Sequence, residues 1–411
     1  MDTKHIRQNT FANYKNIAII VIAILILIVR RSDSLTNPQL WAEDGAVFFA
    51  QQYEYGAASL LTPYAGYLHT VPRLIALIAD SFFSYDQLPA VYNYACLFIT
   101  IIVIAHCFSP RLQLPFKPLL ALSIVLVPHY LNEVFLNITN IQWILCVLLL
   151  LTLLKDTPNN IYGNYHLQVV SDFIIIIVAG LTGPFLIFMF PFFAWKLFTT
   201  KKSYGYTLLL TACCIVLIQL YHLALSTKIV QEGSMFNVDI YVSMFGRKLF
   251  GGLLFGRSMM HSNALFISVC ALAYFSILLY LSYKKSPEKM QTLKIVLMML
   301  SISVAILGAV IVNFNFSPNI MSISCGCRYF FIPYVMVTWS LILCINQNGI
   351  WKNIYVISSL LLILYSSITV GIQTRMIDYH WKQYSSLIGT KDTLSIPINP
   401  NWHINLHNIK K

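Results

Sequence analysis

The sequence predicts an all-α polytopic membrane protein, with about eleven transmembrane helices and interfacial helices in its first outer loop. Three observations lead there. Of 411 residues, 58% are hydrophobic and only 10% are charged, where a soluble domain of this size carries about 25% charged residues. Mean hydropathy is +0.70. The apolar residues fall in blocks of roughly 17–25, the length that crosses about 30 Å of hydrocarbon as helix.

Taken in order, a short cytoplasmic N-terminus (1–14) precedes a first span at about 15–33. Its block Ile17–Val29 is followed by Arg30-Arg31 rather than by a small-residue cleavage site, so it reads as an uncleaved span. A long first loop, about 34–86, leads to spans at about 87–108, 117–132, 139–155, 169–181, 183–199 and 204–226. Gly180-Leu181-Thr182-Gly183-Pro184 is dense turn chemistry and makes a tight hairpin of the two spans it separates. A second large outer loop, about 227–261, precedes spans at about 262–283, 292–313, 328–346 and 350–372. The membrane domain thus covers 15–372, and a tail on the outer side occupies 373–411.

The net charge of +12 is distributed as topology signals rather than as a nucleic-acid surface. Lys4, Arg7 and Lys15 mark the inner side, and Arg111, Lys117, Lys155, Lys196, Lys201, Lys202, Lys284, Lys285, Lys289 and Lys352 fall on that same side. This requires that Val71–Phe83 not cross. At about 1.5 Å per residue it reaches roughly 20 Å. Leu74, Leu77, Ile78 and Phe82 recur at helical spacing, with Arg73 and Asp80 placed elsewhere on its surface, which makes it a helix lying at the interface. Arg30 and Arg31 violate the charge rule locally.

Nine cysteines are present. Cys325 and Cys327 form a C-x-C with no second pair at zinc spacing, so no metal site is expected. The others lie in or beside apolar blocks as small hydrophobes.

The chemistry-bearing residues gather in the outer segments. Trp41-Ala42-Glu43-Asp44-Gly45 sets two adjacent carboxylates just beyond the first span. Carboxylates near a membrane are costly unless solvated, paired or working. One of the pair can serve as a general base once burial raises its pKa, while the other orients an acceptor or holds a cation. The structural alternative is a helix start at Ala46–Tyr55, where acidic residues favour the dipole. His69 and Arg73 stand four apart and can share a face. Such an Arg can grip a phosphate or merely touch lipid headgroups. Arg247, Lys248 and Arg257 sit among glycines in the second loop, able to close over an anionic carrier or to anchor at headgroups. Arg328-Tyr329-Phe330 opens a span at its outer end, where Arg328 contacts a substrate or snorkels. The tail around Ile396–His403 either covers the site or, as we favour, rests on the interface. Ionisable groups at mid-membrane are sparse, Asp172 and Glu133 lying toward span ends, which counts against a transporter.

Together, the Trp41–Gly45 motif, Gly66-Tyr67-Leu68 with Pro72-Arg73, the Gly180–Phe185 turn, Arg328-Tyr329-Phe330 and the Pro-rich Trp402 tail resemble the polytopic glycosyltransferases of the GT-C fold. More narrowly they look like the serotype-converting O-antigen glucosyltransferases. That resemblance implies a bacterial inner-membrane enzyme acting at the periplasmic face. Its donor would be an undecaprenyl-phosphate-linked sugar, its acceptor a lipid-linked lipopolysaccharide O-antigen, and a divalent cation would be compatible with it. It implies Asp44 as base with Glu43 beside it, and Arg73 and Arg328 at the donor phosphate, with His69, Tyr329, Arg247 and Arg257 as further binding residues. An O-antigen polymerase and a lipid-linked sugar flippase remain the competing readings.

Overall fold

The structure is a computed structural model describing residues 3–200, 202–226, 238–259, 262–283, 287–313, 326–345, 349–371 and 376–407. In chain order its helices are α1 (Thr3–Arg30), α2 (Ser32–Thr36), α3 (Ala50–Tyr55), α4 (Thr70–Phe82), α5 (Leu88–His106), α6 (Lys117–Leu126), α7 (Ile141–Leu154), α8 (Tyr165–Gly180) and α9 (Phe185–Thr200). There follow α10 (Ser203–Leu225), α11 (Val238–Ser243), α12 (Gly252–Phe255), α13 (Ala264–Ser282), α14 (Pro287–Asn313), α15 (Phe331–Leu343), α16 (Ile350–Val370) and α17 (Trp381–Ser385). The chain ends in an antiparallel hairpin of β1 (Thr393–Ile398) and β2 (Trp402–His407).

Every expected span holds a helix, yet they are not equivalent. Among the described residues five segments are long and apolar enough to cross a membrane: Tyr85–His106, Ser203–Leu225, Ala264–Ser282, Met290–Val312 and Ile350–Val370. These helices show lipid-suited faces, with Leu210, Leu217, Leu265, Val269, Leu361 and Ile368 exposed. By contrast α6 runs only 10 residues, α15 13 and α7 14, or roughly 15–21 Å at 1.5 Å per residue.

The chain divides into two compact units. The first takes Met1–Ile26, Ile104–Asn132 and Lys228–Gln373. Its core is α15, buried at every position from Phe331 to Leu343. Its polar members bond back along the helix: Thr338 Oγ1 donates to Tyr334 O (2.7 Å) and Ser340 Oγ to Met336 O (2.8 Å). The Trp339 indole donates to Ser123 Oγ of α6 (2.9 Å), tying the two short helices together. Helices α13, α14 and α16 pack around this pair.

The second unit takes Leu27–Val103, Glu133–Thr227 and Thr374–Lys411. Its core helix is α7, buried from Ile141 to Leu153 and flanked by α8, α9 and α4. The Gly/Pro cluster makes the expected tight turn between α8 and α9, with Gly183 at φ +90°. That turn is also a dock. His69 bridges Thr182, Gly183 N–H donates to Leu68 O (3.0 Å), and Thr70 Oγ1 donates to Leu181 O (3.0 Å).

Helix α4 forms where the interfacial helix was expected. Ile78 and Phe82 are exposed and Leu74 and Leu77 half-exposed, whereas Val71, Ile75, Ala76 and Ala79 face the protein. Arg73 corrects the sequence reading: it is fully buried on that inner face, not on the surface. The tail has regular structure as well. It forms a β-hairpin, and β2 packs on the turn that begins at Asp44.

Candidate active site

The carboxylate motif lies between α2 and α3. Ala42, at φ +39°, turns the chain so that Glu43 and Asp44 begin a π-helical turn, Asp44–Phe49, which runs straight into α3. The helix start expected at Ala46 therefore exists, but both acids are buried, at 6% and 1% exposure, rather than solvated at a helix end. The tail holds this turn from outside. Ala42 N–H donates to Asn399 O (2.5 Å), and Met376 N–H donates to Asp33 Oδ2 (2.8 Å). The Trp381 indole donates to Tyr85 O (2.8 Å) and its ring meets Phe49 edge-on at 5.9 Å.

Asp44 points at the connection that precedes α7. Its Oδ1 accepts from Thr139 N–H (2.9 Å) and Thr139 Oγ1 (2.5 Å), and Oδ2 from Ile138 N–H (3.3 Å). That connection is shaped to present its amides. Leu136 is left-handed at φ +56°, the Asn137 and Asn140 side chains donate to Glu133 O, and Asn140 N–H donates to Asn137 Oδ1. Burial pushes the Asp44 carboxyl up to about 7, against the hydrogen bonds from Thr139 and with a smaller upward push from the Glu43 charge.

The cation beside this carboxylate is Arg31. It is 1% exposed and lies within the fields of Asp44, Glu133 and Asp33. Arg30 is buried as well, its guanidinium 5.1 Å from the Phe135 ring. The two arginines that broke the charge rule thus lie inside the protein, where the rule for headgroup-side charges does not apply. Their misplacement in the charge pattern was the available signal, as the run of Asn and Thr over 132–140 was for the amides.

Glu43 faces another way. Its Oε1 accepts from the Tyr64 hydroxyl at 3.4 Å, while the buried Oε2 has no hydrogen-bond partner. The Tyr64 ring leads to His69 (5.7 Å) and to Phe48 (6.1 Å), and Tyr67 lies 4.7 Å from His69. Arg73 closes the group, its guanidinium 5.4 Å from the Phe48 ring and Nη2 donating to Gln51 Oε1 (2.7 Å). His69 is completely enclosed; burial, with Arg73 adding to it, lowers its imidazole to about 3. It is therefore neutral at physiological pH and can take part in a hydrogen bond but carries no charge. Burial lowers Arg73 to about 10, so it stays cationic. The Nε and Nη1 of Arg73 lack hydrogen-bond partners. Native interiors rarely leave such atoms unmatched.

No family model matches this chain, and neither does any curated protein or solved structure.

The other expected site residues belong to the first unit. Arg328 and Tyr329 fall in the 3-10 turn Cys327–Phe330, with the guanidinium 5.5 Å from the Tyr329 ring. Arg247 Nε donates to Ser262 O (2.7 Å), committing that face of its guanidinium to the loop's own backbone. Arg257 is exposed and stacks over Tyr130 at 4.3 Å. Much of the second loop, 227–237 and 260–261, lies outside the described residues. Among the described residues no group of three or more His, Cys, Asp or Glu is placed to hold a metal ion.

One residue with a positioning role escaped the sequence reading. Gln219 of α10 accepts from Leu68 N–H (2.9 Å) and donates to Gly180 O (3.1 Å) and Gly183 O (3.2 Å). It fixes both the approach to His69 and the α8–α9 turn. Its signal was a lone amide in an otherwise apolar span.

Proposed function

We propose that this chain is a membrane glycosyltransferase moving a hexose from a polyprenyl-phosphate carrier to a hydroxyl of a lipid-linked O-antigen or related surface glycan, at the periplasmic face of a bacterial inner membrane. The observation that carries the reading is the state of the carboxylate pair. Asp44 is held in one orientation by Thr139 and Ile138, with its pKa raised to about 7. A proton acceptor works best when its pKa lies near the operating pH. Beside it, Glu43 Oε2 and two Arg73 nitrogens are buried polar atoms left open in one neighbourhood, groups that a sugar hydroxyl or a phosphate oxygen would complete.

In this reading the acceptor hydroxyl attacks the anomeric carbon and gives its proton to Asp44. The glycosidic bond forms as the bond from that carbon to the carrier phosphate breaks, with inversion. The departing phosphate carries the growing negative charge. Glu43 accepts a hydrogen bond from the acceptor sugar, Arg73 offers its charge to the phosphate, and neutral His69 donates to an oxygen. Fixed donors aimed at developing charge favour the transition state over the ground state.

The test is transfer in liposomes containing the purified protein, labelled carrier-linked sugar and acceptor. A new glycosidic product is expected, which a flippase would not make. Asp44→Asn is expected to lower the rate by about 10²–10⁴-fold and Glu43→Gln by less. Wild-type activity should rise with pH through about 7, as Asp44 ionises. Full activity in both variants would remove the general-base assignment.

A further inference from the structure

Just before His69 the chain makes a turn that the chemistry above leaves unused. Tyr64 and Tyr67 close it on each other, Tyr64 N–H donating to Tyr67 O (3.0 Å) and Tyr67 N–H to Tyr64 O (3.2 Å). Ala65 at φ +52° and Gly66 at φ +92° form its corner, backbone that alanine rarely adopts. Gly66 lies against the end of α10, where a Cβ would stand 2.7 Å from Ser226 Oγ. Leu68 N–H donates to Gln219 of the same helix (2.9 Å). Backbone held at these points aims the two phenol rings.

Both tyrosines are half-buried, and they stand over the enclosed Phe48 and His69. One face of the Tyr67 ring rests on the imidazole, with 4.7 Å between centroids and 33° between planes, so its exposure belongs to the other face and the rim. Tyr64 stands edge-on to Phe48 at 6.1 Å and 72°. The Tyr64 hydroxyl donates to Glu43 Oε1 (3.4 Å), and the second carboxylate oxygen, Oε2, is buried without a hydrogen-bond partner. A phenol donating to a carboxylate is polarised, which strengthens its oxygen as an acceptor. The spot thus joins partly open aromatic surface to an acceptor backed by a negative charge. A hydrocarbon chain would match the rings alone, and a phosphate would face Glu43.

We infer that Tyr64 and Tyr67 are the specificity-determining platform for the acceptor, stacking on the C–H face of its terminal pyranose while an edge hydroxyl donates to Tyr64 Oη. A pyranose has both halves of the match, an apolar ring face and a rim of hydroxyls. Rigid aromatic rings with a few placed polar groups are how such a ligand is oriented. The inference rests on the transferase reading only for assigning the sugar to the acceptor; recognition of a pyranose does not depend on it.

Binding is measured on the full chain in nanodiscs by saturation-transfer NMR, so that no transfer is required. The probes are the methyl pyranosides of glucose, galactose and mannose, with D-glucitol as an open-chain control that has hydroxyls and no ring face. At least one pyranoside should bind, its saturation concentrated on the axial hydrogens of one ring face, and glucitol much less. Tyr67→Leu should weaken that binding by about three- to tenfold, and Tyr67→Phe should recover most of it. Tyr64→Phe keeps the ring and should still weaken binding, because the hydroxyl's acceptor is gone. Unfolding temperatures of the same samples show whether each variant is folded, and the two Phe variants keep the test open should Tyr67→Leu fail. Displacement of the pyranoside by polyprenyl-phosphate glucose would give the platform to the transferred sugar and overturn the acceptor assignment. Pyranoside binding in a protein that makes no glycosidic product would sink the transferase reading and leave the platform standing. Binding no better than that of glucitol, or unchanged in both Tyr67→Leu and Tyr64→Phe, would overturn the inference.

Discussion

At the residue scale, the two adjacent acids have the same chemistry and different surroundings. Asp44 takes three hydrogen bonds from Ile138 and Thr139, and Glu43 keeps an open oxygen toward Tyr64 and His69. The pair was legible in the sequence, but which acid is tethered depends on Leu136, Asn137 and Asn140 shaping a loop more than ninety residues away, and no local pattern encodes that. Burial of Asp44 also has a measurable consequence for stability. Its folded pKa of about 7 lies above its ordinary 3.8. Between those values the folded chain keeps a proton that the unfolded chain has released. This group therefore weakens the fold progressively as pH rises from about 4 to 7, and adds no further slope beyond. Asp44→Asn should flatten that part of the stability profile, read by thermal unfolding in detergent from pH 4 to 8. An identical slope in the variant would exclude the raised pKa.

At the element scale, two contacts hold the candidate site together. One is the tail hairpin on the π-helical turn. A Cβ on Gly45 would stand 2.7 Å from Ile404 Cδ1 and 2.8 Å from Ile398 Cδ1. Gly45→Val should cost about 1–3 kcal/mol by overpacking and should speed proteolysis within 393–407; unaltered cleavage would mean the tail is held elsewhere. The other contact is Gln219, where a replacement strands Leu68 N–H and two turn carbonyls. Gln219→Leu should cost about 1–3 kcal/mol, seen as a lower unfolding temperature with membrane insertion intact. The hairpin turn at Gly180–Pro184 and the short helix at 70–82 could be read from turn residues and from length. The β-hairpin could not, since Pro397 and Pro400 sit within an aromatic stretch that reads equally well as an interfacial coil.

At the scale of the whole molecule, five helices among the described residues have the length and composition to cross a membrane, and the Lys and Arg rule leads us to expect the tail outside. Ser386→Cys, at an exposed tail position, should therefore react with a membrane-impermeant maleimide in intact cells above the background of the native cysteines. Reaction only after permeabilisation would reverse the orientation and, with it, the periplasmic reading. The sequence by itself determined that the chain is helical and lives in a membrane, because too few charged residues exist to make a water-facing surface. It also determined where the carboxylates and most of the cations lie along the chain. Only the tertiary structure decided that α7 and α15 are enclosed by protein and that Arg31 is a buried counter-charge rather than a headgroup anchor. The physical reason is that hydropathy measures aversion to water, and lipid and protein interior satisfy it equally; only the packing of distant segments tells the two apart.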